Sequence, residues 1–568
     1  MMRTHTCGEL NEKHDGMHVS LCGWVDSIRT HGGVNFINLR DRFGITQIVF
    51  DDDSFKDLKN EYVIKIEGKA RLRPSPNKNI PTGMIEVLKT DLKIVNTAEP
   101  LPLDISGKIE SSDETRLKYR YLDLRNPVKN NCLVFRHKVA QAAREYLNNN
   151  NFVEIETPLL VKSTPEGARD YLVPSRVNQS KFYALPQSPQ LYKQILMVAG
   201  LDRYYQLARC LRDEDLRADR QPEHTQIDLE MSFVTSDDVR NMVEGLIKHI
   251  FKKVKDTELD SFPVFSYEES MARFGSDKPD IRFGLELRNV TDIVKQSSFN
   301  VFNQAEHIVC IVVDRDFSRK EIDKLTDIAK TYRAKGLAYT KIVDDKFDAG
   351  IAKFIEDNIR EQLFDNLCLK NGQTLFFVAD KKKIAQTALG QVRLALRDKL
   401  ELVNNDEFKF AWIKDFPLFA YNDELNKWEP EHHMFSMPKQ EFVDDFEKRP
   451  QEVLGDLWDL TLNGIEMASG SIRVTNPKVQ ERIMNFVGFD KAEAEQKFGF
   501  LLEAYKYGSP VHGGMGIGLD RLSTLMLGLN DIREVIAFPK NKNAQCPMDG
   551  SPSPVTKEQL DELGIKLK

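Results

Sequence analysis

The stretch CLRDEDLRADRQPEHTQIDLEMSF, residues 210–233, joins a densely charged loop to a segment of alternating polarity. Seven acidic residues and three arginines lie within it. Its second half alternates between polar residues (Gln226, Asp228, Glu230 and Ser232) and apolar ones (Ile227, Leu229, Met231 and Phe233). Successive side chains of a strand point to opposite faces, so the alternation predicts a β-strand with one polar and one apolar face. We do not expect a strand that is buried on both faces to carry such a polar row.

The loop before this strand favours an anionic ligand. A solvent-exposed sheet face would be the ordinary explanation for the polar row. Arg212 and Arg217 indicate that the face also binds an anionic ligand, because a planar guanidinium group matches the geometry of phosphate. The strand is therefore predicted to form one wall of a site for a charged ligand.

A second segment, YGSPVHGGMGIGLDRLSTLML at 507–527, has the pattern of a strand, a glycine-rich turn and a helix. The glycines remove side chains where another group must come close. The helix is predicted to begin near Leu519, which puts Arg521 in its first turn. A cation there opposes the helix dipole, so an anion or nucleotide at that end explains Arg521 better than a structural role does. The spacing is neither that of a P-loop nor that of a dinucleotide fingerprint.

Length and composition indicate a multidomain protein without membrane spans. The 568 residues suggest several domains, and no apolar run approaches the ~20 residues that cross a bilayer. The N-terminal residues resemble neither a signal peptide nor a transit peptide. Seven scattered cysteines without a CxxC pair favour reduced thiols in the cytoplasm and offer no zinc site. The net charge of −7 does not by itself indicate a nucleic-acid partner, although a local basic patch still can.

The N-terminal part of the chain is predicted to be a small β-barrel. Five short strands are indicated between residues 17 and 95, with a short helix before the fourth. This is the order of an OB-fold barrel, with a generic small barrel as the alternative. A hinge rich in proline and charge follows at 99–125, and helical periodicity runs through 132–148. The stretch 152–160 is predicted to be a strand that ends around Pro158. Residues 290–408 alternate strands and helices of their own and are predicted to form an inserted α+β module.

Several motifs resemble those of one enzyme family. The stretch 210–233 resembles motif 2 of the class II aminoacyl-tRNA synthetases, GMGIGLDRL resembles motif 3, and FVEIETPLL, with Pro158, resembles motif 1. STPEGARDYLVPS, QSPQLYKQILM, FGSDKPDIRFG, HHMFS and IREVIAFPKN together are similar to the bacterial-type aspartyl-tRNA synthetases. The motifs occur in the family's order and spacing and cover nearly the whole chain, which makes the resemblance specific.

The resemblance implies a multidomain α+β fold with an OB-fold barrel, a class II antiparallel sheet of six or seven strands flanked by helices, and an inserted α+β domain. It places the anticodon-binding domain at 1–104, the hinge at 105–131, the first part of the catalytic domain at 132–289, the insertion at 290–408, and the second catalytic part with a C-terminal extension at 409–568. It also implies a homodimer that forms through motif 1.

The implied reaction joins L-aspartate to tRNA(Asp) in two steps, with ATP as co-substrate and aspartyl-adenylate as the intermediate. No enzyme nucleophile is needed, so positioning and charge stabilisation carry the catalysis. By resemblance, the catalytic residues are Arg212, Glu466 and Arg521. Asp459 and Glu466 match the positions for Mg²⁺, a hard cation that prefers carboxylates. The residues that the resemblance assigns to ATP are Arg212, Glu214, His224, Gln226, Glu466, Gly518 and Arg521.

The amino-acid pocket follows from the same resemblance. Gln190 and Lys193 are three positions apart and share a face if they lie on a helix. His224 departs from the family, which usually has Phe where the adenine stacks. Imidazole can also stack, but it can carry a charge. The assigned residues are Lys193 and Arg473 for the side-chain carboxylate, Asp228 for orienting these cations, Glu166 and Gln190 for the ammonium group, and His432 and His433 for the segment that closes on substrate.

The barrel is expected to read the anticodon, because single-stranded bases are bound by aromatic stacking and by hydrogen bonds to their edges. By resemblance, Phe36 matches the family's stacking aromatic, and Gln47 and Glu86 match base-edge readers. Arg29 would lie beside the phosphates. Without the resemblance, Phe36 is better explained as a core residue.

The alternatives to this predicted function are a further tRNA substrate, a related enzyme with another substrate, and a paralogue without activity. The loop 30–33, which contains His31, resembles that of relaxed family members, so charging of tRNA(Asn) stays open. An asparagine synthetase on the same catalytic fold would lack the N-terminal barrel. A paralogue without activity would have lost Arg212, Glu466 or Arg521, and all three are present. Synthetases for lysine or asparagine share the architecture, but Lys193 and the histidine pair favour aspartate.

Overall fold

The structure is a computed structural model that describes residues 1–164, 167–216 and 219–567. These residues form two compact units, one made of residues 1–134 and 533–553 and the other of residues 135–532 and the segment from 554 onwards. In the described part of the chain, no helix has both the length and the apolar composition that crossing a bilayer requires.

A closed five-stranded barrel forms the core of the first unit. The strands follow the order β1-β2-β3-β5-β4, in which β3 and β5 pair in parallel. A 3₁₀-helix, Asp53–Asp57, precedes β4, so the predicted OB-fold order is confirmed. The elements are β1 (His18–His31), β2 (Val34–Arg40), β3 (Ile45–Phe50), β4 (Val63–Leu72), β5 (Ile85–Asn96), α1 (Asp113–Lys118) and α2 (Arg120–Asp123).

Alternation along the strands builds the barrel core. Leu21, Ile37, Ile48, Ile66 and Val87, one from each strand, have no exposed surface. Burying such a side chain is worth about 1.5–3 kcal/mol relative to leaving it exposed. The intervening residues, which point away from this core, are therefore available for contacts outside the barrel.

The predicted helix at 132–148 is α3 (Pro127–Asn149), and a series of short elements follows it. Pro127 suits the first helical position, where the backbone N–H has no partner inside the helix. Up to the predicted insertion the chain forms β6 (Val153–Glu154), β7 (Leu172–Pro174), β8 (Phe182–Ala184), α4 (Gln190–Val198), β9 (Arg203–Leu211), β10 (Glu223–Ser232), α5 (Ser236–Lys255), β11 (Val264–Ser266) and α6 (Tyr267–Phe274).

The middle of the chain builds a sheet of its own, in the order β12-β13-β16-β14-β15. Apolar clusters lie on both of its faces, one under α9 and α11 and one under α7, α8 and α10. The predicted α+β character is confirmed. The elements are β12 (Arg288–Asn289), α7 (Thr291–Val294), α8 (Asn300–Gln304), β13 (His307–Val313), α9 (Arg319–Thr331), β14 (Ala338–Val343), β15 (Lys346–Asp348), α10 (Asp357–Leu367), β16 (Thr374–Asp380) and α11 (Lys382–Lys399).

The rest of the chain completes the large sheet. A strand, β22, leads directly into helix α14, whose first residue is the predicted Leu519. The elements are β17 (Phe410–Lys414), β18 (Phe419–Asn422), β19 (Lys427–Pro430), β20 (Leu457–Leu462), β21 (Ile465–Ile472), α12 (Pro477–Phe486), α13 (Lys491–Tyr505), β22 (His512–Gly518), α14 (Leu519–Met526) and α15 (Lys557–Leu563).

The large sheet has eight strands in the order β11-β17-β20-β21-β22-β10-β9-β6, rather than the expected six or seven. The six central strands are antiparallel, as expected. The two edge strands, β6 and β11, pair in parallel with their neighbours and are only two and three residues long. Short edge strands limit the row of unpaired backbone groups that a sheet exposes.

Motif 1 contains less strand than its sequence suggests. The stretch 152–160 was expected to be a strand up to Pro158, but only Val153–Glu154 pairs with β9. Proline lacks the N–H that a ladder requires, and it also restricts the residue before it. The apolar face of β10 meets the prediction at Ile227, Leu229 and Met231, which are buried in one cluster with α3 and α5. The prediction is wrong for Phe233, which follows the end of the strand and is 79% exposed.

Candidate active site

The central strands open onto a cavity of about 1000 Å³. Arg212 and Arg521 line the same hollow, so the two predicted anion-binding arginines face one space. Asp459 is buried beside His432. Glu166 and Arg217 lie outside the described residues. The predicted residues that line the cavity are Gln190, Lys193, Arg212, Glu214, His224, Gln226, Asp228, His432, His433, Glu466, Arg473, Gly518 and Arg521.

The glycines of β22 make room for the side chains of β10. Asp228 pairs with Gly516 and Glu230 with Gly514 in the antiparallel register. A Cβ atom on Gly514 would collide with the carboxylate of Glu230 and with the backbone of Leu229. The sequence predicted that another group comes close to these glycines, and this group is the acidic side chains of the neighbouring strand.

The polar row of β10 is buried, which contradicts the expectation that such a row needs an open face. Asp228 is 2 % and Glu230 0 % exposed. The physical reason is charge pairing: Nζ of Lys193, from α4, lies 2.7 Å from Oδ1 of Asp228 and 3.3 Å from Oε2 of Glu230. A buried charge is tolerated when it is paired and hydrogen-bonded.

Arg473 completes this buried charge cluster, which consists of Lys193, Asp228, Glu230 and Arg473. Its Nε donates to Oε1 of Glu230 at 2.8 Å and its Nη2 to Oε2 at 3.1 Å, a bidentate pair. Burial raises the pKa of the Glu230 carboxyl, but Arg473 and Lys193 outweigh it and lower the pKa to about 2. Glu230 is therefore ionised. The sequence signal for it was its place in the polar row, yet we had not predicted it as a site residue.

The five N–H groups of Arg473 are all engaged. Beyond Glu230, they reach Oγ of Ser471 at 2.7 Å, the carbonyl oxygen of Gly514 at 3.2 Å and Nε2 of His433 at 3.2 Å. Burial and the neighbouring charge of Arg473 keep the pKa of His433 well below its ordinary value. A neutral imidazole is a weaker partner for a guanidinium group than a carboxylate is.

Two further acids lie on the strands that flank the turn between β20 and β21, and we call residues 459–466 the acidic turn. Asp459 and Glu466 lie on these adjacent strands. Burial raises the pKa of Glu466, and the negative charge of Asp459 raises it further. Oδ1 of Asp459 is buried and has no hydrogen-bond partner among the described residues. His432 Nε2 lies 3.7 Å from Oδ2 of Asp459; burial opposes its charged form, but Asp459 prevails and raises the pKa of His432.

This donor set fits a hard divalent cation. Two oxygen donors with excess negative charge, one of them unpaired, suit Mg²⁺. No group of three or more His, Cys, Asp or Glu residues is arranged to hold a metal ion within residues 1–164, 167–216 and 219–567. Mg²⁺ commonly takes one or two carboxylates and completes its shell with water and phosphate oxygens.

Helix α14 is fixed to β10 at its first turn. Asp520 accepts a hydrogen bond from the backbone N–H of Thr225 at 2.8 Å and pairs with Arg136 at 2.6 Å. Arg521 then points into the cavity, where its Nη1 donates to the carbonyl oxygen of Glu466 at 2.7 Å. Its Nη2 lies 3.4 Å from Asp219. The helix thereby presents a guanidinium group beside the acidic turn.

His224 is held neutral. Burial lowers the pKa of its imidazole to about 3, and the charges of Arg212, Arg521 and Arg209 act in the same direction. The ring lines the cavity as a flat, uncharged surface. Histidine in place of phenylalanine therefore leaves a flat ring in the cavity without adding a charge.

The predicted anticodon residues lie on strands β1, β2, β3 and β5 of the barrel. Phe36 is half-buried and alternates with the core residue Ile37. Nε2 of Gln47 donates to Glu86 at 2.9 Å, and Arg73 donates to Oε1 of Gln47 at 2.8 Å. Arg29 pairs with Phe36 across the strands, and His31 is exposed at the end of β1.

Comparison with known proteins agrees with this architecture. Residues 112–542 match the model of the class II tRNA synthetases (D, K and N), and residues 19–95 match that of the OB-fold nucleic acid binding domain. Among solved structures, the asparaginyl-tRNA synthetase of Pyrococcus horikoshii complexed with asparaginyl-adenylate superposes with a TM-score of 0.60 at 19% identity, over 95% of this chain and 98% of that one. The fold is that of a class II tRNA synthetase, and the family match shows that the chain belongs to this class.

Sequence relatives indicate which family within this class the chain belongs to. The aspartate--tRNA(Asp/Asn) ligase of Treponema denticola is 50% identical over 100% of this chain and 99% of its own length. The aspartate--tRNA ligase of Ruminiclostridium cellulolyticum is 48% identical over 100% of this chain and 98% of its own. The chain belongs to the aspartate--tRNA ligase family.

Replacing His224 by Phe should not change how the KM for ATP depends on pH. Because the histidine is already neutral, the dependence of this KM on pH between about pH 5.5 and 8 should be the same in both enzymes, and any step from the terminal phosphate of ATP or from His432 should appear in both. The measurement is aspartate-dependent pyrophosphate exchange at varied ATP and pH. A step near pH 6.5 in the wild type that disappears in His224→Phe would contradict the neutral assignment.

Proposed function

We propose that this protein attaches L-aspartate to tRNA(Asp) through an aspartyl-adenylate intermediate, with release of AMP and pyrophosphate. The observation that carries the proposal is one cavity that combines buried cations for an acidic side chain, Lys193 and Arg473, with the phosphate-matching arginines Arg212 and Arg521. A synthetase for an acidic amino acid needs both sets of cations within one space.

In the first step, an oxygen of the α-carboxylate of aspartate attacks the α-phosphorus of ATP, and the bond to pyrophosphate breaks. Arg212 neutralises charge that develops at the α-phosphate, and Arg521 holds the outer phosphates. In the second step, the 3′-hydroxyl of the terminal tRNA adenosine attacks the activated carbonyl carbon, and AMP leaves. Preorganised cations stabilise both charged transition states without an enzyme nucleophile.

Aspartate is selected by the buried charge cluster. Asp228 and Glu230 hold Lys193 and Arg473 in fixed positions. The β-carboxylate of the substrate replaces the neutral His433 as a partner of Arg473, because a charge-assisted hydrogen bond is stronger than one to a neutral acceptor. Asparagine, whose amide is neutral, leaves the cations without this compensation, and a buried polar site rejects such a ligand strongly.

Gln190 is proposed for the ammonium end through its amide oxygen, because an ammonium group only donates hydrogen bonds. Its buried amide nitrogen has no hydrogen-bond partner among the described residues and can donate to a carboxylate oxygen of the same ligand. Glu166, the other residue assigned to this group, would supply the negative charge. We propose Asp459 and Glu466 as the holders of Mg²⁺, which when bound supplies positive charge to the phosphates of ATP.

The proposed oligomer is a homodimer that forms through motif 1. Val153, Leu159 and Leu160 of this motif are 44–52% exposed, which is consistent with an apolar contact surface. We also propose a cytoplasmic location, since the described chain contains seven cysteines and no disulfide.

Lys193→Leu should abolish activation of aspartate. We expect the rate of pyrophosphate exchange to fall at least ~100-fold, because the pocket loses a charged partner of the substrate. ATP binding, measured by calorimetry, should persist, since Lys193 belongs to the amino-acid end. Near-normal exchange would remove Lys193 from the pocket, whereas simultaneous loss of ATP binding would indicate misfolding.

Phe36→Ala should weaken tRNA charging without affecting activation. Loss of base stacking should raise the KM for tRNA on the order of tenfold or more. Pyrophosphate exchange without tRNA should remain at the wild-type rate, since Phe36 lies in the barrel. Unchanged charging kinetics would exclude Phe36 from anticodon binding, and an equal loss in both assays would point to a folding defect.

A second candidate activity is the charging of tRNA(Asn) by the same enzyme. The exposed His31 loop favours it, and the Treponema denticola relative is named an aspartate--tRNA(Asp/Asn) ligase. Aminoacylation of purified tRNA(Asp) and tRNA(Asn) transcripts with aspartate tests both activities. We expect tRNA(Asp) to be charged; failure would contradict the proposed function, and a signal with tRNA(Asn) decides whether specificity is relaxed.

A further inference from the structure

Lys278 lines the active-site cavity, although we had not predicted it as a site residue. It lies in the loop 275–285, between α6 and β12, which we call the brace loop. The same cavity contains Arg521 and Glu466, and the positive charge of Lys278 acts on the Glu466 carboxyl. The ion pair that Lys278 forms, with its neighbour Asp277 at 3.1 Å, is about half exposed and therefore weak. A ligand phosphate can compete for this ammonium group.

A buried acidic side chain, that of Asp280, holds the brace loop in position. The side chain of Asp280 has no exposed surface and pairs with Arg282 at 2.7 Å and with Arg397 of α11 at 2.9 Å. Because the buried carboxylate is paired with two guanidinium groups, these contacts hold the loop in position. Asp280 is two positions from Lys278, which makes it a local anchor for the lysine.

Arg393 of α11 adds a second anchor. Its buried guanidinium group donates to the carbonyl oxygens of Asp280, Phe283 and Gly284 at 2.9–3.0 Å and lies 3.8 Å from the ring centre of Phe283. The helix and the loop also approach at two glycines. A Cβ atom on Gly390 would collide with the backbone of Gly275, which itself has a left-handed φ of +64°.

On its other side, the brace loop contacts the acidic turn. Gly464 precedes β21 and has a φ of +87°, and a Cβ atom there would approach Asp280 to 3.2 Å. Gly464 also lines the cavity, two residues before Glu466. The brace loop therefore connects α11, inside the predicted insertion, with the part of the cavity that contains Glu466 and Arg521.

We propose that Lys278 binds a phosphate of ATP, and that the insertion positions it through the contacts of Arg393 and Arg397 with the brace loop. The proposal rests on the proposed function, because it concerns the nucleotide end of that site. The ammonium group supplies a compact positive charge and up to three hydrogen bonds to non-bridging phosphate oxygens. Arg393 and Arg397 act as positioning residues, since they contact the loop and not the cavity.

Lys278→Gln tests the phosphate contact. In pyrophosphate exchange without tRNA, we expect the KM for ATP to rise on the order of tenfold, as fits the loss of one charged hydrogen bond. The KM for aspartate should stay unchanged. Lys320→Gln, an exposed lysine at the start of α9, is the matched control and should behave as the wild type. Wild-type exchange kinetics in Lys278→Gln would overturn the proposal.

A second experiment, aminoacylation with tRNA, shows whether the phosphate that Lys278 binds belongs to ATP or to tRNA. If exchange is normal but the KM for tRNA rises in aminoacylation, Lys278 serves the acceptor end and the assignment to ATP is wrong. Absence of exchange in the wild-type enzyme would instead refute the proposed function itself. The two failures are therefore distinguishable.

Arg397→Gln tests the positioning. This arginine is partly exposed, so its replacement spares the core. The variant should raise the KM for ATP but not that for aspartate. In the double variant with Lys278→Gln, the KM for ATP should equal that of Lys278→Gln alone, because both changes act through one ammonium group. Multiplied effects in the double variant would show that Arg397 acts independently and would overturn the positioning role.

Discussion

Pairing of buried charges is the constraint on which the rest of this site depends. Asp228 and Glu230 occupy a central strand of the sheet, where an unpaired carboxylate would cost several kcal/mol. Lys193 pairs with both acids and Arg473 with Glu230, and these contacts hold both cations rigid, although Oδ2 of Asp228 has no hydrogen-bond partner among the described residues. Stability and selectivity therefore have one source, since the residues that make the acids tolerable are those proposed to recognise an acidic substrate. The glycines of β22 follow from this requirement, because no larger residue leaves room for Glu230.

The nucleotide end is organised by backbone geometry as much as by side chains. Asp520 ties the first turn of α14 to β10, so Arg521 reaches the cavity from a helix that cannot rotate freely. The acidic turn between β20 and β21 faces it with Glu466. Opposite charges are thus presented by elements that the sheet holds in register. His224 contributes a neutral ring among these arginines, because burial and their charges lower its pKa.

Much of the fold could be predicted from local patterns. Alternation predicted β10 and the barrel strands, and the glycine-rich turn predicted where α14 begins. Contacts between distant parts of the chain could not be read in this way. Glu230 and Arg473 are 243 positions apart, and nothing in the polar row says that it is buried and paired. Lys278 lies in the motif FGSDKPDIRFG, but the sequence did not indicate its role, because its position depends on Arg393, which binds main-chain carbonyl groups rather than a recognisable partner. The short parallel edge strands escaped prediction because two or three residues carry no periodicity.

The close approach of Gly275 and Gly390 has a consequence for engineering and for evolution. Two backbones that touch without side chains between them must change together, so the insertion is not an interchangeable module. A chimera that imports the insertion of a distant homologue would have to import the segment 275–285 with it. A mutation at either glycine would similarly require a compensating change in the segment that it contacts. The two regions, which lie more than a hundred residues apart in the chain, would therefore evolve together.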